Sequence, residues 1–284
     1  MPHFDTPEPI TATVELMLGD LHVIASDRQD TVVAVNPTDR SREVDVTAAE
    51  QTEIEHEAGR VLVRVPKPRG LGKFLGPGRN SGSVDVVIEL PAGSHVSCDT
   101  AVADVRIDGQ LGEVRIATDV GAIRIDRAGP LHAETSTGNV TIDHVIGHTM
   151  IKAAGEIAVN QIDGPAEINN LNGSTWVGEV TGGARITSAN GDILLDRAHA
   201  ELRAKTANGT IRIGEVARET VKLETSSGGL AVGIPDGTAA WVDAHSKFGR
   251  VHNALDSASG PEPSRETVEI YARTSYGDID IHRS

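Results

Sequence analysis

The chain has 284 residues, with 26 basic against 41 acidic side chains, a net charge of −15, one cysteine and only 2% aromatic residues. That balance repels a phosphate backbone and excludes nucleic acid as a partner. A single cysteine excludes an intramolecular disulfide. No apolar run approaches the roughly 20 residues of a membrane-spanning helix, and the opening Met1-Pro-His-Phe-Asp-Thr has no basic region followed by an apolar core, so no membrane insertion and a cytoplasmic location are expected.

The first 94 residues carry strand signals of alternating kind at irregular spacing: Val14-Glu-Leu16, Leu21-His-Val23, Val44-Asp-Val46, Val61-Leu-Val63-Arg-Val65 and Val84-Asp-Val86-Val-Ile88. They are expected to form an N-terminal β cap over residues 1–94. Between Arg60 and Arg79 the chain holds Arg64, Lys67, Arg69, Lys73 and Arg79 with no acid, among Pro66, Pro68, Gly70, Gly72, Gly76, Pro77 and Gly78. This reads as a basic Gly/Pro loop, and with Phe74 it is a candidate contact for an acidic partner. No helix of ten or more residues has a 3.6-residue pattern; the nearest approach, around Asp45 to Glu57, is short and highly charged.

From Gly121 a unit recurs in which glycine precedes aliphatic residues two and four positions on. It runs through Gly121-Ala-Ile123-Arg-Ile125, Gly138-Asn-Val140-Thr-Ile142, Gly155-Glu-Ile157-Ala-Val159 and Gly173-Ser-Thr175-Trp-Val177. It continues with Gly191-Asp-Ile193-Leu-Leu195, Gly209-Thr-Ile211-Arg-Ile213, Gly228-Gly-Leu230-Ala-Val232 and Gly277-Asp-Ile279-Asp-Ile281. The first seven glycines are spaced 17, 17, 18, 18, 18 and 19 residues apart. Ala103-Asp-Val105-Arg-Ile107 is an upstream copy, and Gly249-Arg-Val251-His-Asn253 is a degenerate one 21 residues after Gly228. A drifting but bounded period of this length marks a solenoid.

A second apolar pair precedes each glycine by seven and five positions, as in Val114/Ile116, Leu202/Ala204 and Val221/Leu223. A third apolar position follows seven after it: Ala128, Val145, Ile162, Val180, Ala198 and Val216. The expected fold is therefore all-β: a parallel β-helix-like solenoid of about ten rungs over residues 95–284, three-sided and right-handed by the general crossover preference. Asn172, Asn190 and Asn208 each precede a repeat glycine at an 18-residue interval, which predicts a side-chain amide ladder along the stack.

Chemistry is sparse. Asp108, Asp126, Asp143 and Asp196 share one register, a column that could bind calcium or act on polysaccharide, but Asn160, Gly178 and Gly214 interrupt it, as a turn position would. His144 and His148 lack the helical context of a metalloprotease motif. Cys98 falls on the inward face with Val96, as a small core hydrophobe. Trp176 lies between inward Thr175 and Val177, so alternation turns it outward as a candidate partner contact. No nucleophile elbow or phosphate loop occurs, and neither a cofactor nor a metal site is expected.

The tandem Asn/Thr/Ser-Gly-x-Ile/Val-x-Ile/Val units, the opening Phe4-Asp-Thr-Pro-Glu-Pro-Ile10 with Val14-Glu-Leu16 and Gly19-Asp-Leu21, and the closing Thr274-Ser-Tyr276-Gly-Asp-Ile279 resemble the bacterial adhesin-type β-strand-repeat family, a domain of unknown function, in its actinobacterial form. The resemblance implies a β-helix-like fold and supplies no catalytic residues. The expected function is a non-enzymatic β-solenoid that binds or scaffolds an unknown protein or glycan. The alternative is a β-helix polysaccharide lyase or glycoside hydrolase using Asp126, Asp143 and Arg124.

Overall fold

The computed structural model describes residues 2–66, 81–255 and 266–284. The chain divides into two compact units, 1–143 and 144–284. Each is a stack of β-rungs, so the chain is an all-β solenoid. In each unit a rung consists of two strands, one in each of two facing sheets, most often joined through a glycine corner.

In unit 1, one sheet contains Thr11–Leu18, His95–Val102, Val114–Val120 and Leu131–Thr137, paired in parallel without a register shift. The facing sheet contains Leu21–Ser26, Val105–Gln110 and Ile123–Ala128. Residues 11–26 thus form a rung stacked directly on residues 95–110, with Gly19 at the corner at φ 127°. On its other side, Arg60–Arg64 and Val84–Pro91 add one more parallel rung. The irregular spacing of the N-terminal strands follows from this order: the chain leaves the stack after residue 26, builds the outer strands, and returns at residue 95. Antiparallel strands finish the stack, Asp30–Pro37 with His3–Asp5 in one sheet and Glu53–Glu57 in the other.

Val44-Asp-Val46 is not a strand. Glu43–Glu50 is a short α-helix, in which Asp45 points inward and Val44 outward. The buried Asp45 carboxylate accepts hydrogen bonds from the backbone N–H of Ser83 at 3.0 Å and of Asp39 at 3.3 Å, tying the helix to the chain on either side. A period of two assigns the wrong residues to the core here.

In unit 2 the sheets contain Thr149–Ala153, Ala166–Asn172, Ala184–Asn190, Leu202–Asn208 and Glu219–Ser227, facing Ile157–Asp163, Thr175–Val180, Ile193–Ala198, Ile211–Val216 and Leu230–Ile234. The order then departs from the sequence. Thr267–Tyr276 pairs with Glu219–Ser227 on one side and with Ala239–Ser246 on the other, and Ile279–Arg283 lies between Leu230–Ile234 and Val251–Asn253. The final copy is therefore the penultimate rung and the degenerate Gly249 copy is the last. Apolar burial decides this: Val268, Ile270, Ala272, Ile279 and Ile281 are at most 1% exposed, whereas Val251 is 44% exposed.

The rungs have two sides, not three. Ala128, Val180, Ala198 and Val216 are buried as expected, but at the ends of second strands, without a third sheet. Along Ile157–Asp163 the buried residues are Ile157, Val159 and Ile162, so two successive residues face outward before the inward set resumes. The skipped position is that of the aspartate column, and the pairing of Ile123–Ala128 with Val105–Gln110 shifts register there, as a β-bulge does. Asp126, Asp143 and Asp196 accordingly sit within strands, not at turns.

Most corners are glycine, and at several of them the geometry requires it. Gly209 and Gly228 have φ 148°, and a Cβ built on Gly228 would lie 1.9 Å from the carbonyl oxygen of Gly209 on the rung below. Asn190 Nδ2 donates to Asn172 Oδ1 at 3.2 Å and Asn208 Nδ2 to Asn190 Oδ1 at 2.9 Å, which is the amide ladder expected from the 18-residue interval.

Candidate functional site

Trp176 faces outward from the strand Thr175–Val180, half-buried between its register neighbours Ala158 and Leu194 on the adjoining rungs. Its Nε1–H donates to the carboxylate of Asp196 at 3.3 Å. Beside it, Glu179 accepts hydrogen bonds from Arg197 at 3.0 Å and from His199 at 2.7 Å. Arg197 first, then His199, holds the Glu179 carboxyl below its ordinary range. The indole thus sits on a platform of Ala and Leu, rimmed by fixed charges. Beneath it Thr175 replaces an aliphatic residue, and its hydroxyl accepts from Asn170 Nδ2 at 3.2 Å, while the Asn170 Oδ1 is buried without a hydrogen-bond partner among the described residues.

The other residues singled out in the sequence are separate. Asp108 accepts from Arg106 at 2.9 Å and binds His22 at 2.6 Å, and Arg106 before His22 lowers its carboxyl. Asp126 accepts the backbone N–H of Gly109 at 3.2 Å. Arg124 lies in register with Arg106. His144 binds Asp163 at 2.8 Å, while His148 lines a shallow depression with Glu167, Arg185, Glu201 and Arg203. Among the described residues no three His, Cys, Asp or Glu side chains are grouped to hold a metal ion. Cys98 is 3% exposed, and burial pushes its thiol up to about 12. Arg64 is engaged by Glu15 through Nε at 3.0 Å and Nη2 at 3.2 Å. Lys67, Arg69, Lys73, Phe74 and Arg79 lie outside the described residues.

A second aromatic group lies beyond what the repeat alone predicts. In a chain with two Trp, two Tyr and three Phe, four of these rings gather on the last two rungs of unit 2. Trp241 meets Tyr271 at 5.2 Å between centroids, and Phe248 stacks on Tyr276 at 4.9 Å with an interplanar angle of 12°. Lys222 and Lys247 stand 5.6 and 5.3 Å from the Tyr271 and Phe248 ring centres. Trp241, Phe248 and Tyr276 are 54–58% exposed. Tyr276 continues the corner column of Asn172, Asn190, Asn208 and Ser227. The sequence does carry a signal for it: Tyr276 and Phe248 immediately precede Gly277 and Gly249, where the other copies hold Val120, Thr137, Ala154, Asn172, Asn190, Asn208 and Ser227, none of them aromatic. A groove of about 390 Å³ beside the Phe248 corner is lined by Lys205, His245, Lys247 and Arg273. In unit 1 a cleft of about 380 Å³ is acidic, lined by Glu15, Asp99, Asp119 and Glu134.

Among the described residues no helix is long and apolar enough to cross a membrane. No curated protein matches the chain. Two solved structures are similar along nearly the whole length. One is described as a candidate cell adhesion protein from Clostridium sporogenes, 13% identical, covering 100% of this chain and 98% of its own with a TM-score of 0.23. The other is described as a candidate adhesin from Bacteroides fragilis, 11% identical, covering 99% and 95% with a TM-score of 0.36. The sequence profile of the family described as Toastrack DUF4097 matches residues 13–284, and the chain belongs to that family.

Proposed function

We propose that this adhesin-like Toastrack domain is a non-enzymatic binding or scaffold protein that presents its outer rung faces to a protein or glycan partner. The observation that carries the reading is the placement of aromatic side chains. A narrow solenoid interior is filled by Val, Ile, Leu and Ala, and the scarce rings of unit 2 stand outside it, on Trp176 and on the Phe248–Tyr276 stack. Exposed rings carry a hydration cost that a partner surface removes.

The test immobilises the full chain and measures retention of acidic and neutral polysaccharides and of lysate proteins, with Trp176→Ala and Tyr276→Ala as comparisons. Saturable retention of one class, reduced about tenfold or more by either substitution, supports the reading, since aromatic anchors dominate such contacts. Retention unaffected by both overturns it. Depolymerisation of a polysaccharide that Asp126→Ala abolishes would replace it with the lyase or hydrolase alternative.

A further inference from the structure

Among the described residues the last rung of unit 2 has an open edge. The strand Ala239–Ser246 pairs with Thr267–Tyr276 and with no other described strand. The backbone N–H groups of Ala239 and Lys247 donate inward, to the carbonyls of Glu266 and Thr274. In a parallel ladder each residue sends its N–H and C=O to the same side, and successive residues alternate sides. Ala240, Val242, Ala244 and Ser246 therefore direct both groups to the free edge. The side chains of Ala240, Val242 and Ala244 close the core at this end and are only half-buried, whereas their register partners Val268, Ile270 and Ala272 are at most 1% exposed. Open backbone beside an open core calls for an added extended strand, because only a polypeptide supplies the alternating donors and acceptors.

The sequence of this edge says which strand. Trp241-Val-Asp243-Ala-His245-Ser-Lys247 places complementary residues at equal distances from Ala244: Asp243 with His245 and Trp241 with Lys247. An antiparallel partner must oppose even-numbered residues to even-numbered ones for the free groups to meet. With a two-fold axis at Ala244, Ala244 meets its own copy and Val242 meets Ser246 as hydrogen-bonded pairs. Asp243 then lies opposite His245, and Trp241 opposite Lys247, as the closer non-hydrogen-bonded pairs. The first is a carboxylate with an imidazole donor and the second a ring with a cation. An axis at Asp243 would instead oppose two carboxylates, and one at His245 two imidazoles. The corresponding edge in unit 1, Glu53–Glu57, is guarded by exposed Glu53, Glu55 and Glu57, which disfavour self-pairing. Among the described residues the Ala239–Ser246 edge has no such guard.

We infer that a second copy of this chain covers the edge: two molecules join antiparallel through Ala239–Ser246 about a two-fold axis at Ala244. The contact is isologous and closes as a dimer. It goes beyond the proposed binding role and uses different residues from Trp176 and Tyr276. Because each copy carries a charge of −15, mutual repulsion opposes pairing at low ionic strength, and the dimer fraction rises as salt screens it.

The test is sedimentation equilibrium of the full chain with a register readout by cysteine crosslinking. The wild type gives a monomer–dimer equilibrium. Ala244→Cys crosslinks under mild oxidation, since a hydrogen-bonded pair sets Cα atoms about 5.5 Å apart, within disulfide reach. Val242→Cys does not, its copies being four residues out of register. His245→Asp, which opposes Asp243 to an acid twice per dimer, raises the dissociation constant about tenfold. Asp243→Lys weakens self-pairing too, yet mixing it with His245→Asp restores dimers, because each Lys and each His then faces an Asp. Circular dichroism confirms that every variant retains its β-spectrum. A monomeric mass at all concentrations overturns the inference, as does a dimer that crosslinks equally through Val242→Cys or that ignores both charge variants.

Discussion

The hydroxyl of Thr225 donates to the carbonyl of Gly209, one rung below, at 3.0 Å. The same relationship joins Thr135 to Gly121, Thr206 to Gly191, Thr274 to Gly228 and Ser246 to Gly277 at 2.8–3.1 Å, with Asn170 Nδ2 serving Gly155 at 2.9 Å. In these copies a polar residue three positions before the glycine thus turns into the core to satisfy the corner carbonyl of its neighbour. The corner glycines, needed for their conformation, leave a carbonyl that the following rung supplies with a donor.

Thr225→Val keeps the shape and removes that donor. A buried carbonyl without its partner costs about 1–3 kcal/mol, so the midpoint of urea unfolding should fall accordingly. Ser188 occupies the same column, but its hydroxyl is buried without a hydrogen-bond partner. Ser188→Ala should therefore be neutral or stabilising in the same assay. Equal losses at both sites would show that the column acts by volume alone.

Gly209→Ala should be far more damaging than its single methyl suggests. Its φ is 148°, and the new Cβ would lie 2.1 Å from the carbonyl oxygen of Gly191. Rung separation must increase locally, with a cost of about 4 kcal/mol or more, in the range of overpacked and strained positions. Gly59, at φ 74°, lies in the turn between Glu53–Glu57 and Arg60–Arg64, where an added Cβ would meet nothing within 4 Å. Gly59→Ala should cost only about 1–2 kcal/mol, the penalty of a left-handed conformation. Thermal unfolding of the two variants side by side measures the difference.

Much of this is legible in the sequence because a solenoid writes its core as a period. The inward residues of each copy, the amide ladder of Asn172, Asn190 and Asn208, and the outward turn of Trp176 all follow from alternation and register. What the period does not record is stacking order. The steps from Gly228 to Gly249 and from Gly249 to Gly277 do not say that Gly277 stacks on Gly228; the greater apolar content of Val268 to Ile281 decides it. Asp45 escapes a sequence reading because an acid buried against backbone donors inverts the usual inward pattern. The sequence marks Phe248 and Tyr276 as aromatic residues before repeat glycines, but the period does not record that these two corners are neighbours and so does not show the stack.

Stability should decline with acid before the fold is generally protonated. Asp30 is drawn down to about 2, mainly by hydrogen bonds from Arg28, and Asp108, Asp163 and Glu179 are lowered by their Arg, His and Gln partners. A carboxyl lowered in the folded state contributes stability above its unfolded value of about 4, and that contribution is lost as pH falls through the folded value. The melting temperature should therefore drop between about pH 4 and pH 2, less steeply at high salt because these pairs are at the surface. Asp108→Asn should reduce the slope. An unchanged slope would mean that Arg106 and His22 stabilise Asp108 equally in the unfolded chain.

Cys98 provides a probe of the whole stack. Its side chain lies in register between Val14 and Ile116, is 3% exposed, and has its thiol pushed up to about 12 by desolvation, with Asp99 adding to the effect. The attacking species in alkylation is the thiolate, so a folded rung denies the reagent both access and charge. Labelling by iodoacetamide at pH 8 should be slower than in urea by about a thousandfold or more, and its rate should follow the opening of the rung. Cys98→Val should fold normally, since the site asks only for a small apolar side chain, whereas Cys98→Asp should unfold it by burying an unpaired charge. Rapid labelling of the native chain would place the thiol at the surface and contradict the parallel pairing of residues 11–18 with 95–102, on which the out-of-order rung depends.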